Sequence, residues 1–133
     1  MWVNDLESIV FTRVRVGCEN RLKTKFPNIY FTTSTKERKE PKFPTVYVHM
    51  MNSQEIGRTL DGKHVNGVTA TFQIEVTDNT RQYNADFVAD AVCDVMKEMM
   101  FEVVGTPYVD ESNPSIYRNV ARFRRPIGAS DTF

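Results

Sequence analysis

The sequence predicts an α+β domain in which a mostly antiparallel mixed sheet is flanked by two helices, and three observations carry that expectation. From Val68 to Thr77, the apolar residues Val68, Ala70, Phe72, Ile74 and Val76 alternate with Thr69, Thr71, Gln73, Glu75 and Thr77. Period-2 alternation is the mark of a strand buried on one face only. A second alternating segment, 115–127, closes the chain. Two further segments repeat apolar residues at three- and four-residue spacing, as amphipathic helices do. The expected order is α-β-β-β-α-β-β, with a long β-hairpin before the second helix.

The first helix is expected over residues 2 to about 25, with Val3, Leu6, Val10, Val14, Cys18 and Leu22 as its apolar stripe. Asn4 is placed to cap it, with Glu7 three residues on. Phe26-Pro27 ends it, because a residue before proline avoids the α region. Residues 28–33 read as a short strand. The segment 34–42 has no apolar anchor and reads as a solvated, mobile loop. Pro44 opens a strand over 45–51, with Val46, Val48 and Met50 on one face and Tyr47, His49 and Met51 on the other. The segment 53–67 carries the tight-turn pairs Asp61-Gly62 and Asn66-Gly67 and reads as a hairpin arm. After the 68–77 strand, residues 79 to about 100 form the second helix, with Val88, Ala91, Val92, Val95 and Met99 facing the core. Residues 101–109 and 115–127 supply the last two strands.

A chain of 133 residues that is 41% hydrophobic is expected to form a single domain with a real core. Lys plus Arg and Asp plus Glu both number 17, so the chain as a whole is no nucleic-acid or membrane binder. Two cysteines, Cys18 and Cys93, do not make a disulfide scaffold, and a reducing compartment is expected. No apolar run reaches the length of a membrane span, and Met1–Asp5 lacks the basic start of a secretory leader. The expectation is a soluble protein used without export.

Little in the residues points to catalysis. His49 and His64 have no partners at triad or metal-ligand spacing, and Cys18 and Cys93 fall on or beside apolar stripes, as inert buried thiols do. The glycines are scattered, so no phosphate loop is present. No enzyme, cofactor or metal is expected.

Charge patterning is more informative. Arg118, Arg122 and Arg124 fall on the even positions of the closing strand, opposite Tyr117, Ala121, Phe123 and Ile127. Such a row is either an edge protected by charge, a contact for nucleic-acid phosphates, or half of a subunit interface. The aromatic residues lie on the other face, so no stacking platform accompanies the charges. Asp86, Asp90 and Asp94 share one face of the second helix at four-residue spacing. They read as a solvated face or as the partner of the arginine row on another copy.

The chain resembles the tail terminator proteins of long-tailed bacteriophages, also called tail completion or tail-to-head joining proteins. The likeness spans nearly the whole chain. It is carried by Pro44-Thr45-Val46-Tyr47-Val48, the long hairpin into the 68–76 strand, and a helix that starts at Ala85-Asp86 and ends in a Met-rich turn before Phe101. The closing segment Tyr117-Arg118…Arg122-Phe123…Arg125…Ile127-Gly128 is its most telling part.

The resemblance implies a structural virion protein: a homohexameric ring that caps the tail tube, ends tail polymerisation and joins the tail to the head connector. Its implied partners are other copies of itself, the tail tube protein and the connector or neck protein. DNA would pass through the channel without sequence-specific binding, and no membrane is involved. The implied location is the head-proximal end of the tail, after assembly in the host cytoplasm. Subunit contacts are expected from Arg118, Arg122, Arg124, Asp86, Asp90 and Asp94. Tube and connector contacts are expected from Lys36, Arg38, Lys39, Arg58, Leu60, Lys63 and His64. A different head–tail junction subunit and a non-viral oligomeric binding module stay open as alternatives.

Overall fold

The computed structural model describes residues 2–34, 42–51, 54–58, 65–105, 108–110, 115–128 and 130–131. Chain order is a 3-10 turn (Trp2–Asp5), α1 (Leu6–Leu22), β1 (Tyr30–Thr32), β2 (Thr45–Met50), β3 (Gln54–Arg58) and β4 (Val65–Asp78). There follow α2 (Gln82–Glu98), β5 (Glu102–Val103), β6 (Tyr108–Asp110) and β7 (Tyr117–Gly128). The fold is α+β, as expected.

The strands form one seven-stranded sheet in the order β1-β2-β4-β7-β5, with β3 also on β4 and β6 also on β7. β1 runs parallel to β2, and every other pair is antiparallel. The backbone of the sheet is the β4–β7 ladder, which runs unbroken from Gly67↔Gly128 to Asp78↔Tyr117. β2 and β3 share one edge of β4, one after the other, while β5 and β6 share the outer edge of β7. The segment 53–67 therefore holds a paired strand of its own, β3. Its sequence, QEIGR, has a single large apolar residue and gives no alternation to read.

Both helices pack on one face of this sheet. Val46, Val48, Ala70, Phe72, Ile74, Val76, Ala121, Phe123 and Ile127 point into a single core. The α1 stripe Leu6, Val10, Val14, Cys18 and Leu22 and the α2 stripe Ala85, Val88, Ala89, Val92, Val95 and Met96 complete it. Phe72 and Phe123 are direct cross-strand partners and both are fully buried. Each such side chain stabilises the fold by about 1.5–3 kcal/mol relative to an exposed one. At Gly17, α1 comes so close to Val95 of α2 that an added Cβ would stand 2.9 Å from Val95 Cγ2.

The ends of α2 are held by specific bonds. Asp78 Oδ2 accepts from the Thr80 N–H (3.1 Å), the Thr80 hydroxyl (2.6 Å), the Arg81 N–H (3.0 Å) and Asn84 Nδ2 (3.1 Å). This buried carboxylate turns the chain from β4 into the helix. At the other end, Phe101 N–H bonds Met96 O (3.0 Å) and Met100 N–H bonds Lys97 O (2.9 Å). That is a Schellman closure, with Met100 in the left-handed position at φ 67°.

Three sequence expectations need correction. α1 is not capped by Asn4: a 3-10 turn precedes it, Asp5 takes the N-cap position, and no side chain bonds the helix end. Tyr117, which shares its alternation with Ala121, Phe123 and Ile127, does not join them in the core, since it begins β7 and is exposed. The 101–109 strand is two short strands with Gly105 between them at φ 73°, a turn that breaks the ladder. The 34–42 loop lies largely outside the described residues, as do Lys36, Arg38, Lys39, Leu60, Lys63 and His64.

Candidate functional site: the helix-free face of the sheet

Alternation leaves the second face of the sheet bare of helices. β2 contributes Thr45, Tyr47 and His49; β4 contributes Thr69, Thr71, Gln73, Glu75 and Thr77; β7 contributes Arg118, Val120, Arg122, Arg124 and Pro126. Register arranges these into cross-strand rows: His49–Gln73–Arg122, Tyr47–Glu75–Val120, and Thr71–Arg124–Glu102. The face is polar except for Pro126, for Val120, which is buried among its neighbours, and for Tyr47, which stacks on His49 at 5.8 Å and 9°. Burial raises the Tyr47 hydroxyl pKa, and the Glu75 and Glu7 carboxylates raise it further.

The arginine row is real, but its members are unequal. Arg124 donates from Nε and Nη2 to Glu102 Oε1 at 3.1 and 2.8 Å. Arg122 donates from Nε to the neutral amide oxygen of Gln73 at 3.0 Å, and that amide in turn donates to Glu75 at 3.2 Å. Arg118 is half-buried and engaged within the chain. The row is therefore not wholly open to another molecule, because β5 brings Glu102 to Arg124. Of the three, Arg122 and Arg124 remain exposed.

The acidic row divides in the same way. Asp86 is half-buried and accepts from Gln82 Nε2 and from Asn119 Nδ2 of β7, each at 2.9 Å. It fastens α2 to the sheet, and so is no open contact. Asp90 and Asp94 are exposed on the outer face of α2. That helix face also carries Tyr83, 53% exposed, and Phe87, which fall on the same stripe.

An aromatic cluster was not anticipated from the sequence. Lys25 Nζ sits 3.8 Å from the centroid of Phe87, 4.9 Å from Tyr83 and 5.8 Å from Phe26, while Arg81 Cζ lies 5.1 Å from Tyr83. It clamps the end of α1 to the start of α2. Its only sequence signal is the i, i+4 spacing of Tyr83 and Phe87 away from the apolar stripe. Farther along the helices, Arg21 of α1 pairs with Glu98 of α2, and this bond holds the guanidinium pKa above its ordinary value. Beside that pair is a shallow cleft lined by Arg21, Asp94, Lys97 and Glu98.

Chemically reactive groups are dispersed. Cys18 is fully buried, and burial pushes its thiol pKa up to about 12. Cys93 is half-buried and its thiol is raised by burial as well. Among the described residues, no group of three or more His, Cys, Asp or Glu side chains is placed to hold a metal ion. No described helix is long and apolar enough to cross a membrane. No protein-family model matches the chain, and no curated protein matches it.

Proposed function

We propose that this chain is the subunit of a homohexameric tail terminator ring, which caps a phage tail tube and joins it to the head connector. One observation carries the reading: the molecule has two unlike faces. One layer presents helices, with Asp90 and Asp94 exposed on α2 and Arg21 and Lys97 beside Asp94, and the other presents a bare polar sheet face with exposed Arg122 and Arg124. Unlike faces on opposite sides of a neutral protein favour head-to-tail association, which closes into rings. The sequence resemblance supplies the particular ring.

In this reading the ring is a passive structural device. Complementary faces set the number of subunits, the ring covers the growing end of the tube, and its far side meets the connector. The hairpin formed by β3 and the start of β4 is the element we assign to tube or connector contact, with Arg58 on its outgoing strand.

Light scattering on the purified chain tests the ring, alone and with tail tubes. A hexamer in either condition is expected, while a stable dimer that binds a small ligand overturns the reading. Deleting the gene from its phage is expected to give tails of uncontrolled length. Tails of normal length that fail to join heads would instead assign the chain to another ring of the head–tail junction.

A further inference from the structure

We infer that Asp90 and Asp94 on α2 of one copy dock onto Arg122 and Arg124 on the bare sheet face of the next. This rests on the ring reading and names its interface. The two arginines are alternate residues of one strand, so they stand ~6.7 Å apart along it. The two aspartates are one helical turn apart, ~6 Å along the axis. A helix laid along β7 therefore sets one carboxylate over each guanidinium.

Geometry directs this pairing between copies. β7 turns Ala121, Phe123 and Ile127 toward the helices and Arg122 and Arg124 away from them. α2 turns Val88, Val92 and Val95 into the core and Asp90 and Asp94 outward. The two charged pairs thus lie on opposite sides of one molecule, and a chain cannot bring its own pairs together. Asp86 and Arg118 take no part, since both are already engaged at home. Arg124 shares Glu102 through Nε and Nη2, which leaves Nη1 for the incoming carboxylate.

Two charge-reversed chains test the interface. One carries Arg122→Glu and Arg124→Glu; the other carries Asp90→Lys and Asp94→Lys. All four positions are exposed, and each chain is checked for a native circular dichroism spectrum. Each is expected to stay monomeric alone, under conditions where the wild type forms rings. Mixed, they are expected to form alternating rings, because Asp then meets Arg at one junction and Lys meets Glu at the next. A wild-type hexamer with no assembly in the mixture overturns this interface and leaves the ring reading standing. So do rings from either variant alone. A wild type that is monomeric both alone and on tail tubes overturns the two together, as does a monomer that binds duplex DNA through Arg122 and Arg124.

Discussion

Arg125 Nη1 donates to the backbone carbonyl oxygen of Met99 at 3.0 Å, across the gap between β7 and the C-terminal end of α2. The carbonyls at a helix end lack partners within the helix, and a cation there also meets the negative end of the helix dipole. Arg125 is thus the one arginine of the closing strand that serves the core side, and Asp131 Oδ2 stands 3.7 Å from its Nη2. Replacing it by Met keeps most of the apolar stem and removes the donors. Arg125→Met is expected to lower stability by about 1–2 kcal/mol, read from urea unfolding midpoints. Arg124→Met, at an exposed ion pair, is expected to cost about 0–1 kcal/mol.

One residue further on, Met100 occupies the left-handed position that closes α2, at φ 67°, and is 75% exposed. An L side chain is strained there and glycine is not. Met100 has no core contact to lose. Met100→Gly is therefore expected to stabilise the fold by about 1 kcal/mol, visible as a higher melting temperature. An unchanged or lower melting temperature would mean that the methionine side chain stabilises the turn.

Asp78 gives the fold an acid limb. Burial pushes its pKa up, but the bonds from Thr80, Arg81 and Asn84 together outweigh burial and hold it below the ordinary 3.8. A carboxyl depressed in the folded state binds its proton less readily there than in the unfolded chain. Its contribution is fully present above the unfolded value and is lost as the pH falls through the folded one. Stability measured from pH 6 downward is expected to drop below about pH 4 in the wild type. Asp78→Asn keeps an acceptor and is expected to flatten that drop. Asp78→Ala removes the turn and is expected to cost about 1–2 kcal/mol at neutral pH.

These residues also show what the sequence could and could not reveal. Alternation in 68–77 was legible because β4 sits in an antiparallel ladder with one wet face, where every second residue must be apolar. The arginine row was legible for the same reason. Its internal partner was not, because Glu102 reaches Arg124 only through the β5–β7 register. Asp86 looked like its neighbours Asp90 and Asp94 in spacing. Only the packing of α2 on β7, which brings Asn119 to it, separates them. β3 was hidden because a strand at the sheet's edge needs no apolar alternation. The Asx turn at Asp78 and the role of Arg125 depend on which groups of a folded loop remain unpaired, and no local pattern records that.

Gly17 sets how closely the helices approach. Gly→Ala in a helix interior ordinarily stabilises by about 0.5–1 kcal/mol, because glycine loses more backbone freedom on folding. At position 17 a new Cβ would lie 2.9 Å from Val95 Cγ2 and 3.2 Å from Val95 Cγ1. Val95 is buried and β-branched, with one strongly preferred rotamer in a helix, so its methyls have little room to turn away. The clash outweighs the gain. Gly17→Ala is expected to destabilise by about 1–3 kcal/mol, as overpacking does. Val95→Ala alone is expected to cost about 2–3 kcal/mol through the space it opens. Combined, the two should cost less than the sum of their separate effects, since the added methyl then fills part of that space. Strict additivity in the double-mutant cycle would mean that α1 and α2 do not meet at Gly17 and Val95.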